Sequence, residues 1–195
     1  MDRYSRHIAL SEVGFEGQEK LTNAKVLVIG AGGLGCPVLQ YLAAAGVGFL
    51  GIVDHDVVEE SNLQRQILYG TSSIGMNKAI AAKKRLTDLN PSIMIQAFSE
   101  KLNTSNAISL FEQYDIIVDG TDNFESRYLI NDASLNTNKP VVYGAIYKFE
   151  GQLSVFNFKN GPSYRCLFPK PPSNDEGINC KEVGVLGVLP GIIGS

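Results

Sequence analysis

The amino-acid sequence predicts an α/β domain with a mostly parallel sheet, helices on both faces and an antiparallel strand added near the C-terminus. Two observations predict this fold class. Short β-branched runs alternate with helix-like segments over the first 146 residues, and the apolar pattern then changes to period two. Because 195 residues is the usual size of one α/β domain, we expect a single unit spanning residues 1–195.

The alternation of segments predicts parallel β-α-β units wound around one sheet. Short apolar runs predict strands, of which the third is the weakest: residues 25–30, 49–54, 93–98, 115–119 and 140–146. Helices are predicted between them: residues 34–45, 76–89, 106–112 and 124–137. Residues 151–158 predict the antiparallel strand. Residues 159–182, rich in Pro, Gly, Asn and Ser, predict a long loop without regular structure.

The composition argues against several classes of protein. Seventeen Lys and Arg against twenty Asp and Glu give a net charge of −3, which is unlike a general nucleic-acid binder. Three cysteines without a C-x-x-C pair predict a reducing, cytoplasmic location, and the charged N-terminus is unlike a secretion signal. The uncharged stretch Val26–Val53 is long enough to span a bilayer, but its glycines and Pro37 favour a strand, a turn and a helix.

A glycine-rich turn lies between the first predicted strand and the first predicted helix. Its residues, Gly30-Ala31-Gly32-Gly33-Leu34-Gly35, fit the pattern G-x-G-x-x-G, which lets the backbone approach a phosphate at a helix N-terminus. Asp54 ends the second strand 24 residues after Gly30, where an acid can bind ribose hydroxyls. This context predicts a Rossmann-like nucleotide site. A glycine turn that serves packing alone is the alternative.

Charged residues beyond the next strand ends favour a triphosphate over a dinucleotide. Arg65 and Lys78 lie on the expected ligand side of the sheet, where cations stabilise a leaving pyrophosphate, although either alone is also typical of a solvated surface. Asp122 follows the strand at residues 115–119 in the run D-G-T-D-N. Its carboxylate is a candidate Mg²⁺ ligand, and the alternative is a helix N-cap.

Several motifs in fixed order give the chain a wider resemblance. They are R-Y-S-R-H, G-A-G-G-L-G, D-H-D, S-N-L-Q-R-Q, Lys78, T-D-N and G-V-L-G-V-L-P-G-I-I-G-S. From about Arg3 to Ser195 the chain resembles the MoeB/ThiF/HesA family, bacterial relatives of ubiquitin-activating enzymes. The resemblance implies an adenylyltransferase that uses ATP and Mg²⁺ to activate the C-terminal Gly-Gly carboxylate of a ubiquitin-like sulfur-carrier protein. It further implies pyrophosphate release, thiamine or molybdopterin biosynthesis as the pathway, and a homodimer.

The resemblance also assigns roles to individual residues. It implies nucleotide contacts from Gly30, Gly32, Gly33, Gly35, Asp54, Ser61, Asn62, Leu63, Gln64, Arg65, Lys78, Asp122 and Asn123. It implies catalytic roles for Arg6, Arg65, Lys78, Asp122 and Cys180, with Arg6 reaching the site of the opposite subunit and Asp122 binding Mg²⁺. A carboxylate is already ionised at pH 7, so its attack on the α-phosphorus needs alignment and charge neutralisation. We expect the two histidines, His7 and His55, to be structural or exposed.

The chain departs from the family pattern at its cysteines. Many relatives hold zinc through two C-x-x-C pairs, but the first pair is replaced here by Ser163-Tyr164-Arg165-Cys166, so no zinc site is expected. Cys180 matches a cysteine that some relatives use in a thioester, persulfide or acyl-disulfide step, and a plain loop residue is the alternative. Cys36 is expected to be a packing residue. The apolar run that ends at Ser195 suggests that the domain is truncated at its C-terminus.

Three other functions remain open from the sequence. An NAD-dependent oxidoreductase would use the same glycine loop, but it would leave Arg65, Lys78 and Asp122 without a role. A non-catalytic partner subunit of an activating enzyme would keep the fold without the site residues. A related enzyme that adenylates a tRNA base would fit less well with the net charge of −3.

Overall fold

The computed structural model describes residues 2–172 and 184–195 and contains one six-stranded sheet. The strands are β1 (Lys25–Ile29), β2 (Phe49–Val53), β3 (Met94–Phe98), β4 (Ile116–Asp119), β5 (Val141–Tyr147) and β6 (Glu150–Phe156). Their order across the sheet is β3-β2-β1-β4-β5-β6. All neighbouring pairs are parallel except β5 and β6, which are antiparallel. The predicted α/β fold with an added antiparallel strand is confirmed.

The α-helices of the described residues are α1 (Ser5–Ile8), α2 (Gly14–Asn23), α3 (Gly35–Ala45), α4 (Lys78–Leu89), α5 (Ala107–Phe111), α6 (Phe124–Thr137), α7 (Tyr164–Leu167) and α8 (Leu189–Ile193). Helices α3 to α6, which connect the strands from β1 to β5, agree with the prediction to within two residues. Helix α4 begins two residues later than expected because the Asn77 side chain accepts a hydrogen bond from the Ile80 N–H and acts as its N-cap. Helix α7 corrects the expectation that residues 159–182 contain no regular structure.

The apolar strands are buried on both faces of the sheet. In β1, Val26 and Val28 pack with the apolar side chains of α3 and α4. Leu27 and Ile29 point to the opposite face and pack with α5 and α6. Side chains alternate along a strand, so a strand covered by helices on both sides must be apolar at every position, as the continuous run V-L-V-I is.

The sheet reverses its winding direction between β1 and β4. The two strands are paired with Ile29 beside Asp119, so the turns that follow them start side by side. A Cβ on Gly30 would lie 2.9 Å from the Gly120 carbonyl oxygen, and Gly30 has a positive φ of +90°. Only glycine meets both conditions without strain. The crevice at such a reversal point is where doubly wound sheets bind ligands.

An ion pair and a group of aromatic rings hold α7 against α6. Arg165 donates to both carboxylate oxygens of Asp132, at 2.7 and 2.8 Å, and its guanidinium lies 4.6 Å from the centre of the Tyr128 ring. Tyr164 on the same short helix contacts the rings of Tyr128 and Phe156 edge-on. These contacts attach the segment after β6 to the body of the domain. No helix in the described part of the chain is long and apolar enough to span a bilayer.

Candidate functional site

An open cleft of about 360 Å³ lies at the carboxyl ends of β1, β2 and β4. Nine residues that the sequence singled out line it together: Gly30, Gly32, Gly33, Asp54, Asn62, Arg65, Lys78, Asp122 and Asn123. These residues come from the turns after three different strands and from the start of α4. The parallel sheet therefore brings together at one edge positions that are up to 93 residues apart in the chain.

The glycine loop is held in place by Asp54. One oxygen of this buried carboxylate accepts the Ala31 N–H at 2.7 Å, and the other accepts the Asp56 N–H at 2.9 Å. Burial raises the pKa of Asp54, whereas these two hydrogen bonds and the nearby positive charge of Lys78 oppose the increase. Asp54 thus links the end of β2 to the loop after β1, in addition to facing the cleft.

The loop leaves backbone donors available for an anion. Within the described ranges, nothing accepts a hydrogen bond from the backbone N–H of Gly32 or Gly33, which lie just before α3. A phosphate placed there would meet unpaired N–H groups and the positive end of the helix dipole. Gly35 does not line the cleft. It packs closely against the loop, since a Cβ at this position would collide with the Gly30 carbonyl oxygen. Its role is close packing.

The segment after β2 supplies Asn62 and Arg65. Asn62 is buried, and its side chain accepts the Glu59 N–H at 3.2 Å in a capping box. Arg65 lines the cleft and donates from Nη1 to the Ser61 carbonyl oxygen at 3.1 Å. The other predicted contacts of this segment, Ser61, Leu63 and Gln64, do not line the cleft. Leu63 packs in the core beneath α3 and α4, and the Ser61 and Gln64 side chains are exposed.

Lys78 reaches the cleft from the first turn of α4. Its ammonium lies 3.0 Å from the Asp56 carboxylate, and its aliphatic stem is buried. The position of α4 is fixed by Asn77, whose side chain also donates to the Asp54 and Asp56 carbonyl oxygens. The ion pair with Asp56 offsets the free energy lost when the Lys78 ammonium is removed from water. The fixed start of α4 places this positive charge beside the glycine loop.

The turn after β4 separates the roles of its polar residues. Asp119 is fully buried and accepts from the Thr121 N–H at 2.9 Å and the Thr121 hydroxyl at 2.7 Å, and burial raises its pKa. Asn123 is the N-cap of α6, since its side chain accepts the Ser126 N–H at 2.9 Å. The N-cap role considered for Asp122 therefore belongs to Asn123. The Asp122 carboxylate is exposed at the cleft.

The donor set fits a nucleotide with Mg²⁺. Among the described residues, the cleft is lined by five cationic side chains (Arg65, Lys78, Lys101, Arg127 and Lys148) and five acids (Asp54, Asp56, Glu59, Glu100 and Asp122). Asp122 offers the carboxylate oxygen that Mg²⁺ prefers. Asp54, His55 and Asp56 also lie close enough to share a cation, a grouping that we did not expect from the exposed histidine.

Several cleft residues were not expected from the sequence, among them Gln66, Arg127 and Lys148. Gln66 belongs to the motif S-N-L-Q-R-Q, but the family resemblance assigned roles only to Ser61 through Arg65 of this motif. Arg127 lies four residues after the N-cap Asn123, a helical spacing that indicates the same face of α6. Lys148 lies between β5 and β6, where no local pattern marks it.

The remaining predicted site residues lie elsewhere. Arg6 is exposed on α1 and does not line the cleft of its own chain. That helix is attached to α2 through a hydrogen bond of 3.1 Å between His7 Nδ1 and Gln18 Oε1. Cys180, the proposed thioester or persulfide residue, lies outside the described residues.

The other two cysteines differ in their surroundings. Cys36 is buried in the core, and burial raises its pKa to about 12, which agrees with a packing residue. Cys166 is exposed, and the Ser163 hydroxyl at 3.5 Å lowers its pKa. Within the described ranges, no second cysteine or histidine joins Cys166, so these residues do not fit a zinc site.

A family model and several curated relatives match this chain. The model of the ThiF family matches residues 4–195. The chain is 52% identical over 200 residues to a sulfur carrier protein adenylyltransferase of Thermus thermophilus, an alignment that covers 100% of this chain and 74% of the relative. It is 53% identical over 192 residues to a probable adenylyltransferase/sulfurtransferase MoeZ of Mycobacterium tuberculosis, covering 96% of this chain and 49% of that protein.

A solved structure supports the fold. The crystal structure of E. coli MccB with AMPCPP and MccA superimposes with a TM-score of 0.83 at 23% identity, covering 99% of this chain and 60% of that one. The chain thus spans from about half to three quarters of the length of the relatives cited. The names of both relatives contain the enzyme class that the sequence predicts. With its glycine loop, its cleft and a match over almost its whole length, the chain belongs to the ThiF family.

Proposed function

We propose that the chain is an adenylation domain that uses Mg-ATP to activate the C-terminal Gly-Gly carboxylate of a ubiquitin-like sulfur-carrier protein. The product is an acyl-adenylate, and pyrophosphate is released. The observation that carries the proposal is the convergence of unpaired glycine-loop N–H groups, the cations Arg65 and Lys78, and the exposed Asp122 on one cleft. The names of the relatives support the same substrate class.

The residues present suit a displacement that needs no protein nucleophile. The attacking carboxylate is ionised at pH 7, so the site has to align it with the α-phosphorus and neutralise charge on the phosphate oxygens. The N–H groups of Gly32 and Gly33 bind the phosphate chain, and Arg65 and Lys78 compensate the charge of the departing pyrophosphate. Mg²⁺, held by Asp122, would supply further charge neutralisation when bound.

A homodimer in the cytoplasm completes this proposal. Arg6 lies on the exposed α1 and outside the cleft of its own chain, which fits a residue that acts in the site of a partner subunit. The pathway is thiamine or molybdopterin biosynthesis. A Porphyra purpurea relative that is 52% identical over 194 residues is named probable molybdopterin-synthase adenylyltransferase, and this name favours the second pathway.

The direct test is ATP–pyrophosphate exchange with a panel of purified carriers that end in Gly-Gly. We expect exchange that depends on one carrier and on Mg²⁺. The matched control is the same carrier with its last glycine removed, which should give no exchange. If ATP binds but no carrier supports exchange, a non-catalytic partner subunit or another substrate replaces the proposal. If NADH binds and ATP does not, the domain is a dinucleotide site and the proposal is wrong.

A further inference from the structure

Tyr69 is a buried residue between the glycine loop and the start of α4. It is 8% exposed, packs in the core and does not line the cleft. Its hydroxyl donates to the Ala31 carbonyl oxygen at 2.8 Å, and the Lys78 carbonyl oxygen lies 3.2 Å from the same hydroxyl. Burial raises the pKa of Tyr69, so the hydroxyl keeps its proton and remains a donor.

The hydroxyl contacts the peptide group that joins Ala31 to Gly32. In a trans peptide the C=O and the N–H point in opposite directions, and the described residues contain no cis peptide. The Ala31 carbonyl points into the core toward Tyr69, so the Gly32 N–H points away from the core, on the side of the cleft that Gly32 lines. Nothing in the described ranges accepts a hydrogen bond from this N–H. Tyr69 thus fixes the direction of a free donor that it does not touch.

Side chains hold Ala31 through both of its backbone polar groups. Its N–H donates to the Asp54 carboxylate at 2.7 Å, whereas its carbonyl oxygen accepts from Tyr69. The Cys36 thiol is the other donor to this oxygen, at 3.5 Å, and a thiol is a weak donor. A peptide beside a glycine can rotate with little strain, so the loop needs such contacts to keep one orientation. A donor that is already oriented binds an anion without a further loss of conformational entropy.

We propose that Tyr69 is a positioning residue, whose hydroxyl orients the peptide between Ala31 and Gly32 so that the Gly32 N–H faces the phosphates of the nucleotide. The proposal rests on the proposed function for the identity of the ligand. Tyr69 acts through the backbone and does not contact the nucleotide itself. Because the hydroxyl also lies beside the Lys78 carbonyl oxygen, it keeps the loop and the start of α4 together.

The test compares Tyr69→Phe with Tyr128→Phe, a closely matched control. Tyr128 is 7% exposed, its hydroxyl donates to the Phe168 carbonyl oxygen at 2.9 Å, and it does not line the cleft. Each substitution removes one hydroxyl that donates to a backbone carbonyl, so both should lower Tm by about 2–4 °C. Only Tyr69→Phe should raise the Kd for Mg-ATP in calorimetry, by about tenfold. Adenosine binding, measured by NMR titration, should not change, because adenosine has no phosphate.

A second measurement observes the peptide itself and needs no nucleotide. Alanine precedes glycine at only two places in the sequence, Ala31–Gly32 and Ala45–Gly46. Labelling the alanine carbonyl carbons with ¹³C and the glycine nitrogens with ¹⁵N therefore gives one NMR signal for each pair. Tyr69→Phe should shift the Ala31–Gly32 signal and leave the Ala45–Gly46 signal in place. Tyr128→Phe should shift neither signal.

Three results would overturn the inference. Wild-type affinity of Tyr69→Phe for ATP would show that the hydroxyl does not serve the phosphates. An unshifted Ala31–Gly32 signal would show that it does not orient this peptide. An equal loss of ATP and adenosine binding would assign the hydroxyl a structural role only. If the wild type binds no ATP, the proposed function itself fails, whereas failure of the positioning role alone leaves ATP binding by the wild type intact.

Discussion

The ammonium of Lys78 lies 3.0 Å from the carboxylate of Asp56, and the two side chains are exposed to very different extents, 8% and 56%. The Lys78 side chain is almost fully buried but lines the cleft, whereas the Asp56 side chain remains in contact with solvent. An ion pair with one exposed partner keeps a buried cation stable and still leaves that cation accessible to a second anion from the cleft. This geometry fits a lysine that binds phosphate.

Lys78→Met is expected to lower carrier-dependent ATP–pyrophosphate exchange by at least about 100-fold, the usual effect of removing one electrostatic contact to a transition state. The fold should survive, because the buried stem is replaced by a side chain of similar size. Lys84→Met, on the exposed face of the same helix, is the matched control and should keep full activity. Normal exchange by Lys78→Met with an unchanged Tm would remove Lys78 from the phosphate site.

Asp122→Asn is expected to raise the Mg²⁺ concentration that gives half-maximal exchange by about tenfold or more, because an amide is a weaker ligand than a carboxylate. Its side chain is exposed and Asn123 caps α6, so Tm should not change. A Mg²⁺ titration of exchange activity measures the effect, with the exposed Glu112→Gln as control. An unchanged Mg²⁺ dependence would contradict the metal role.

Mixing Arg6→Ala with Asp122→Ala tests whether the site is shared between subunits. Each variant alone should be inactive, but half of the dimers formed at random from equal amounts are hybrids, and each hybrid contains one intact site. About one quarter of the wild-type activity should therefore return. Mass spectrometry confirms that subunits have exchanged. Full exchange without recovered activity would show that Arg6 and Asp122 do not act across an interface.

Asp119→Asn is expected to stabilise the domain by about 1 kcal/mol at pH 8, because burying an ionised carboxylate costs more free energy than burying a neutral amide. Burial raises the pKa of Asp119 above its ordinary value of 3.8. The folded state therefore binds the proton more tightly than the unfolded state does, and it loses stability as pH rises through the raised pKa. Denaturant unfolding should show the gain shrinking toward pH 4.

The control for this series is Asp88→Asn, a surface substitution that should change stability little at any pH. If Asp119→Asn were less stable than the wild type at pH 8, the interactions of the ionised Asp119 carboxylate would stabilise the fold by more than its burial destabilises it. The two hydrogen bonds from Thr121 and the positive charge of Arg127, which lower the pKa of Asp119, would then outweigh the effect of burial.

Cys166 should react with iodoacetamide at least about 100 times faster than Cys36 in the folded protein, because the thiolate is the reactive form. Cys166 is exposed and its pKa is lowered, whereas Cys36 is buried with a pKa of about 12. Peptide mass mapping measures both rates, and both thiols should react alike in denaturant. Rapid labelling of Cys36 at native conditions would contradict its place in the core.

Local patterns in the sequence were sufficient to predict most of the fold. The strands β1, β2 and β4 carry no polar side chain except Lys25 at the start of β1 and Asp119 at the end of β4, because helices cover both faces of the sheet. A run of that kind can be recognised without knowledge of its neighbours. The glycine turn and the acid at residue 54 predicted a nucleotide site because they too can be recognised from the local sequence alone. Helix α7 was missed because it is four residues long and is held by Arg165 and aromatic contacts distant in the chain.

The site could be predicted only in part. Which of Ser61–Arg65 face the cleft depends on the capping box of Glu59 and Asn62, which turns Leu63 into the core. Asn123 caps α6, and not Asp122, because the helix begins at Phe124 and the Asn123 side chain accepts the Ser126 N–H. Neither choice is visible in residue types, because aspartate and asparagine are both good caps.

The sequence by itself therefore determined the fold class, the glycine loop and the set of charged residues, since these depend on local periodicity and residue chemistry. The tertiary structure alone decided which of them meet. It placed Gly30 against Gly120, paired Lys78 with Asp56 and set the hydroxyl of Tyr69 against the Ala31 carbonyl oxygen. Such contacts join residues on different strands, and they arise only when the order of strands in the sheet brings separate turns to one edge.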